Sequence, residues 1–190
     1  MLKRLSYTAA IFAAAAAPAF AHLNPEEHGS MMAGLSHPLF GADHILAMVA
    51  VGIWASQIGG RALWAVPAAF VGTMAIGFAL AVAGIDLPFV EPAILASVIG
   101  LGLLVAAAVR LPVAASAAVV AAFALFHGHA HGGELGTAGA LQFGLGFLIA
   151  TAGLHVAGLG LGIALNRFGP VVARLLGVAT VIGGAAIAFG

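Results

Sequence analysis

From residue 38 onward the chain is a succession of long apolar stretches that charged residues scarcely interrupt. Six can be marked, at about 38–58, 64–84, 91–109, 112–131, 138–165 and 170–189, each set off by glycine, proline or a charged residue. Five are close to the roughly 20 residues a helix needs to cross a bilayer, and 138–165 is longer. Apolar residues run around all sides of these stretches rather than alternating, which suits helices in lipid and not a barrel. Six Lys/Arg and six Asp/Glu make up 6% of the 190 residues. A soluble domain carries about 25% charged residues to cover its surface. The fold class is therefore all-α, a polytopic membrane bundle. Without a basic stripe the chain cannot neutralise phosphates, which excludes nucleic acid as a partner. Without cysteine it has no disulfides, thiolate metal sites or cysteine nucleophiles. No G-x-x-x-x-G-K-[ST] loop is present to hold a nucleotide.

Residues 1–21 have the three parts of a secretory signal. Lys3 and Arg4 form the charged start, Leu5 to Ala17 the apolar centre, and Ala19-Phe20-Ala21 the small-residue cleavage site. The apolar centre is shorter than a span requires, so cleavage is expected and the mature domain is 22–190, beginning at His22. With that end outside, the loops near Arg61, Arg110 and Arg167/Arg174 all fall on the cytoplasmic side, the positive-inside arrangement. Glu26, Glu27, Asp86, Glu91 and Glu134 fall on or near the outer side. The expected location is the bacterial inner membrane, multi-pass, with a periplasmic mature N-terminus. Twenty-seven glycines, including Gly158, Gly160, Gly162, Gly183 and Gly184, read as close helix packing. No convincing internal repeat relates the first three spans to the last three.

Ionisable residues inside a span are costly and mark function. Here they cluster. One group is His37-Pro-Leu-Phe-Gly-Ala-Asp43-His44, another is Phe126-His127-Gly-His129-Ala-His131-Gly-Gly-Glu134, and the third is His155 alone. His44 lies 14 residues from Ile58, about 21 Å along a helix, and His127 lies 15 from Pro112, about 22 Å. Both therefore sit at one level below the outer surface. His155, 11 residues from Asn166, lies about 16 Å up, beneath the other two. The apolar run 112–126 is too short to cross, so the His/Gly segment after it completes the crossing or turns back. Pro38 should push His37 out of helical geometry, and Gly41 weakens the next turn. In an unbroken helix His37 and His44 would share a face about 10 Å apart. Either the helix breaks there, or the two act at successive points along a path, as in the interrupted helices of transporters.

Imidazole and carboxylate without thiolate suit Ni²⁺, Co²⁺ or Zn²⁺ better than soft Cu(I). Neutral histidines would ligate, while Asp43 offsets charge or orients a ring. His22 could add its α-amino and imidazole nitrogens together as a chelate, or belong to a solvated tail. Histidines hydrogen-bonded between helices are the plainer alternative, above all for His155. Two further readings stay open. A membrane-embedded metallohydrolase would use an ion to activate water, with Glu134 as its acid/base candidate. A bis-histidine haem b protein would take axial ligands from facing helices.

The two clustered motifs, His37-Pro38-Leu-Phe-Gly41-Ala-Asp43-His44 with Ala47-Met48 and Phe126-His127-Gly128-His129-Ala130-His131-Gly132-Gly133-Glu134, resemble those of the HupE/UreJ family of small nickel/cobalt permeases. The resemblance extends over nearly the whole chain. It implies import of Ni²⁺, in some members Co²⁺, in the service of hydrogenase or urease maturation, with no prosthetic group and no enzymatic activity. Carried over residue by residue, it points to His37, Asp43 and His44 in the first span and to His127, His131 and Glu134 around the fourth. It implies a functional link to nickel-enzyme maturation proteins and leaves the choice between nickel and cobalt open.

Overall fold

The computed structural model describes residues 31–134 and 139–190. The expected signal peptide, with its cleavage site and His22, lies outside the described residues. The helices are α1 (Met31–Phe40), α2 (Ala42–Ile58), α3 (Ala62–Val82), α4 (Val90–Ala107), α5 (Val113–Glu134), α6 (Ala140–Leu165) and α7 (Pro170–Phe189), with a 3₁₀ turn at Asn166–Phe168. There is no strand among the described residues. Five helices, α3 to α7, are long and apolar enough to cross a membrane, and α1 with α2 makes a sixth span if the bent pair is taken as one.

That first span differs from the continuous stretch expected at 38–58. It is two helices meeting at 83°. Pro38 does not displace His37, which stays within α1. The break comes at Gly41, whose backbone is extended (φ −85°, ψ 114°). Its carbonyl then accepts from the Ile45 N–H at 3.0 Å to start α2. A Cβ at Gly41 would stand 2.8 Å from His44 Nδ1 and 3.0 Å from Asp43 Oδ1. The chain turns where a side chain at residue 41 would crowd Asp43 and His44.

The crossing expected of residues 112–131 is completed as regular helix, because α5 continues through the His/Gly segment to Glu134. Glycine makes this possible by letting α3 come close. A methyl group at Gly128 would fall on the Met74 carbonyl, and one at Gly77 on the Leu125 carbonyl. The same device joins α2 to α6, where Gly52 lies against the His155 carbonyl and Gly158 against that of Val49. In α1 and α6, Gly34 and Gly146 face the carbonyls of Phe143 and Met31. These are the small-residue contacts through which helices associate in lipid, where burying apolar surface gives no advantage over staying in hydrocarbon.

Trp54, Phe70, Phe147, Met48, Met74 and Leu101 fill the interior and are fully buried. At one end of the bundle the backbone carbonyls around the α4 C-terminus, where helical partners run out, are met from other helices. Trp54 Nε1 donates to Val109 O at 2.8 Å, Gln57 Nε2 to Val105 O at 3.1 Å and Arg174 Nε to Ala106 O at 2.7 Å. This end also carries Arg61 and Arg110 in the interhelical connections and Arg167 in the 3₁₀ turn.

Candidate metal site

Four histidines and one carboxylate meet at the opposite end of α2, drawn from α1, α2 and α5. The Gly41 break brings the rings of His37 and His44 to 6.0 Å between centroids, nearer than an unbroken helix allows. His37 lies edge-on to His131 at 4.4 Å. His127, one turn below His131 on α5, is 5.3 Å from His44. Phe143 and Phe147 close the side toward α6, the latter 4.9 Å from His131. His127 is completely buried and His44 is 4% exposed, whereas the Asp43 side chain is 27% exposed. The carboxylate stands at the mouth of the cluster with partly buried His37, and His44, His127 and His131 lie behind it.

Protons organise the pair at its centre. Asp43 Oδ1 lies 3.1 Å from His44 Nδ1, off the line of a straight hydrogen bond but near enough to favour a proton on that nitrogen. That leaves a lone pair on His44 Nε2. His44 Nε2 and His131 Nε2 are 2.6 Å apart and hydrogen-bonded, so His131 supplies the N–H. A carboxylate backing an imidazole in this way is what orients a metal-ligating histidine.

The cluster is not a finished coordination shell. Among the described residues, no group of three or more His, Cys, Asp or Glu is placed to hold an ion. Two imidazole nitrogens on one ion, each at about 2.0–2.1 Å, stand about 3 Å apart or slightly more. The His44–His131 pair would therefore have to open by roughly half an ångström. Axial ligands on opposite faces of a haem iron would be about 4 Å apart at similar bond lengths, so this pair does not suit haem.

His155 lies apart from the others, across Phe70, whose ring is 4.9 Å from His155 and 5.7 Å from His127. It is 1% exposed, and neither ring nitrogen has a hydrogen-bond partner among the described residues. His129 points away, its Nε2 donating to Ile85 O at 2.7 Å. Glu134 ends α5 one turn beyond His131. His22 lies outside the described residues. Sequence reasoning missed Ser97, fully buried on α4, whose Oγ is 2.8 Å from His127 Nε2. Its signal was available, since Ser97 is the one polar side chain between Pro92 and Val109.

Long apolar helices around a buried polar cluster define a polytopic membrane protein with a histidine-rich interior. The chain belongs to the HupE/UreJ family, whose model, described as HupE / UreJ protein, matches residues 10–187. It is similar to Protein HupE of Rhizobium leguminosarum bv. viciae, 51% identical over 181 residues that cover 94% of this chain and 95% of that one. No solved structure matches it.

Proposed function

We propose that the protein is an inner-membrane permease for divalent nickel, or cobalt, serving hydrogenase or urease maturation. The observation that carries this reading is the convergence of His37, Asp43, His44, His127 and His131 inside apolar helices. Buried ionisable groups in a membrane are costly and need a purpose. The donor set is imidazole and carboxylate, suited to a divalent transition ion. Glu134, at the end of α5, and His22, at the expected mature N-terminus, belong to the entrance. The first 21 residues act as a cleaved signal, and the arginine-bearing end of the bundle faces the cytoplasm.

In this reading Asp43 attracts the cation at the mouth, and the ion takes the Nε2 atoms of His44 and His131 as the His131 proton moves from Nε2 to Nδ1 of its own ring, which keeps both imidazoles neutral. His155, beyond Phe70, is the next donor inward. At the arginine end a cavity of about 430 Å³, lined in part by Ser56, Gln57, Arg110 and Asn166, receives the ion. From His44 to Gln57 is about 20 Å along α2. Met48, Val51 and Trp54, all fully buried, fill the helix face between, so passage requires helices to move. No ATP is needed. A divalent ion falling inward through 100 mV gains about 4.6 kcal/mol, or about three decades of accumulation.

The test is uptake of labelled Ni²⁺ into cells expressing wild type or His44→Ala at equal membrane abundance, with Co²⁺ and Zn²⁺ as competitors. Accumulation by wild type and its loss in His44→Ala support the permease, and the competition ranks the ions. Wild-type uptake no greater than that of cells carrying empty vector refutes it.

A further inference from the structure

Ser97 makes two short contacts with a single proton. Its Oγ lies 2.6 Å from Ile94 O and 2.8 Å from His127 Nε2. A carbonyl oxygen can only accept, so an oxygen–oxygen approach of 2.6 Å needs the hydroxyl proton between the two atoms. If Ser97 gave that proton to His127 instead, two sets of lone pairs would face each other at the Ile94 contact. The proton therefore goes to Ile94 O, and the hydroxyl oxygen accepts from His127 Nε2–H. A neutral imidazole carries one N–H, which leaves His127 Nδ1 with a bare lone pair. Nδ1 is buried and has no hydrogen-bond partner among the described residues.

Other hydroxyls in these helices bond backwards to their own backbone, as Ser56 does to Ile53 O at 2.6 Å and Thr180 to Leu176 O at 3.0 Å. That habit is common for serine and threonine in helices. Ser97 differs because a histidine from another helix uses one of its lone pairs. An unpaired buried acceptor is unfavourable and calls for an explanation, and a ligating nitrogen is one that the surrounding cluster supports.

We infer that Ser97 is a positioning residue that locks His127 in the Nε2–H tautomer and makes Nδ1 its metal-ligating atom. The inference rests on the permease reading for the role of Nδ1, while the tautomer lock stands on the hydrogen bonds alone. His44 and His127 are then set by different partners and present different atoms. Asp43 beside Nδ1 of His44 frees Nε2, and Ser97 at Nε2 of His127 frees Nδ1. Outer partners of this kind fix tautomer and ring orientation in metal sites, and their loss costs about 10–100-fold in metal affinity.

The test uses the full chain labelled with ¹⁵N-histidine in lipid nanodiscs. The His127 signals are assigned by their disappearance in His127→Asn, alongside Ni²⁺ uptake in cells. Wild type and Ser97→Thr should show protonated Nε2 and bare Nδ1 at His127, and Ser97→Ala should lose that pattern. Ser97→Ala should also raise the nickel concentration for half-maximal uptake by about 10–100-fold at equal abundance. Protonated Nδ1 in wild type, or a Ser97→Ala spectrum unchanged at His127, overturns the lock. An altered tautomer with unchanged uptake overturns the ligand role of Nδ1. If wild type takes up no nickel, the permease reading and the ligand role fail together, and the lock is still decided by the spectrum.

Discussion

Adjacent glycines, Gly132 and Gly133, allow the link between helix packing and the histidine cluster to be measured. Both follow His131 on α5, and both become alanine at the same gain in helix propensity, about 1 kcal/mol. Their surroundings differ. A Cβ at Gly132 would stand 2.5 Å from Phe78 O and 2.8 Å from Ala81 Cβ, while one at Gly133 meets no described atom within 4 Å. Ordinary contact begins at 3.4 Å, so Gly132→Ala must move α5 and α3 apart by about 0.9 Å, from 2.5 to 3.4 Å. Overpacking of this kind costs about 1–3 kcal/mol, which the propensity gain partly offsets. The net loss is therefore about 0–2 kcal/mol, small enough for the protein to reach the membrane. Function should suffer more, because a displacement of about 1 Å at a reacting group costs about 10²-fold, and His131 is the next residue. The assay is initial-rate Ni²⁺ uptake normalised to membrane abundance, with thermal unfolding in detergent measured beside it. Gly133→Ala should stay within about twofold of wild type, since it strains nothing. Equal damage from both substitutions, or normal uptake by Gly132→Ala, would refute the claim that close α3–α5 packing sets the position of His131.

Replacing His129, whose ring serves the Ile85 carbonyl, by alanine should leave nickel uptake within about threefold of wild type, whereas His44→Ala abolishes it; a loss of similar size in both would place His129 in the path. Uptake should decline as the outside medium is made acid with the membrane potential held constant, because protons compete with the metal ion for imidazole nitrogen. Undiminished uptake at pH 5 would count against histidine ligation. Enzyme-reporter fusions should place the Arg110 loop in the cytoplasm and the C-terminus outside, and sequencing of the purified protein should begin at His22. Gly52→Leu should sharply reduce the amount of folded protein, because its side chain would collide with the α6 backbone at His155 and Leu159, while Gly72→Leu, with open space around it, should accumulate normally.

The spans were legible because lipid dictates composition over the length of a crossing, and the starts and ends of α3 to α7 fall within a few residues of the apolar boundaries. Depth counting also put His44 and His127 at one level, where their rings meet, and His155 lies beyond Phe70 as a third, deeper group. The break in the first span was less legible. Pro38 is the stronger local signal, but α1 carries it, and the turn falls at Gly41, where a Cβ would crowd Asp43 and His44. The His/Gly segment that holds Gly128 and Gly132 leaves both a completed crossing and a turn back open. The two glycines are surfaces against which α3 rests, a property of the neighbour and not of the segment. Ser97 went unread for a related reason: one hydroxyl in an apolar run has little meaning until the helix opposite supplies an imidazole.

In the permease proposed above, the N–H···N bridge between His44 and His131 makes the site its own competitor. The two nitrogens that an ion would take already satisfy each other, so neither Nε2 stands as an unpaired buried group without cargo. An entering ion must outbid a hydrogen bond and not merely fill a space, which disfavours weakly coordinating cations such as Mg²⁺, reluctant to shed water for nitrogen. When the ion leaves, the same bond re-forms and opposes its return. Selection at entry and release toward the far side would then come from one contact between two rings.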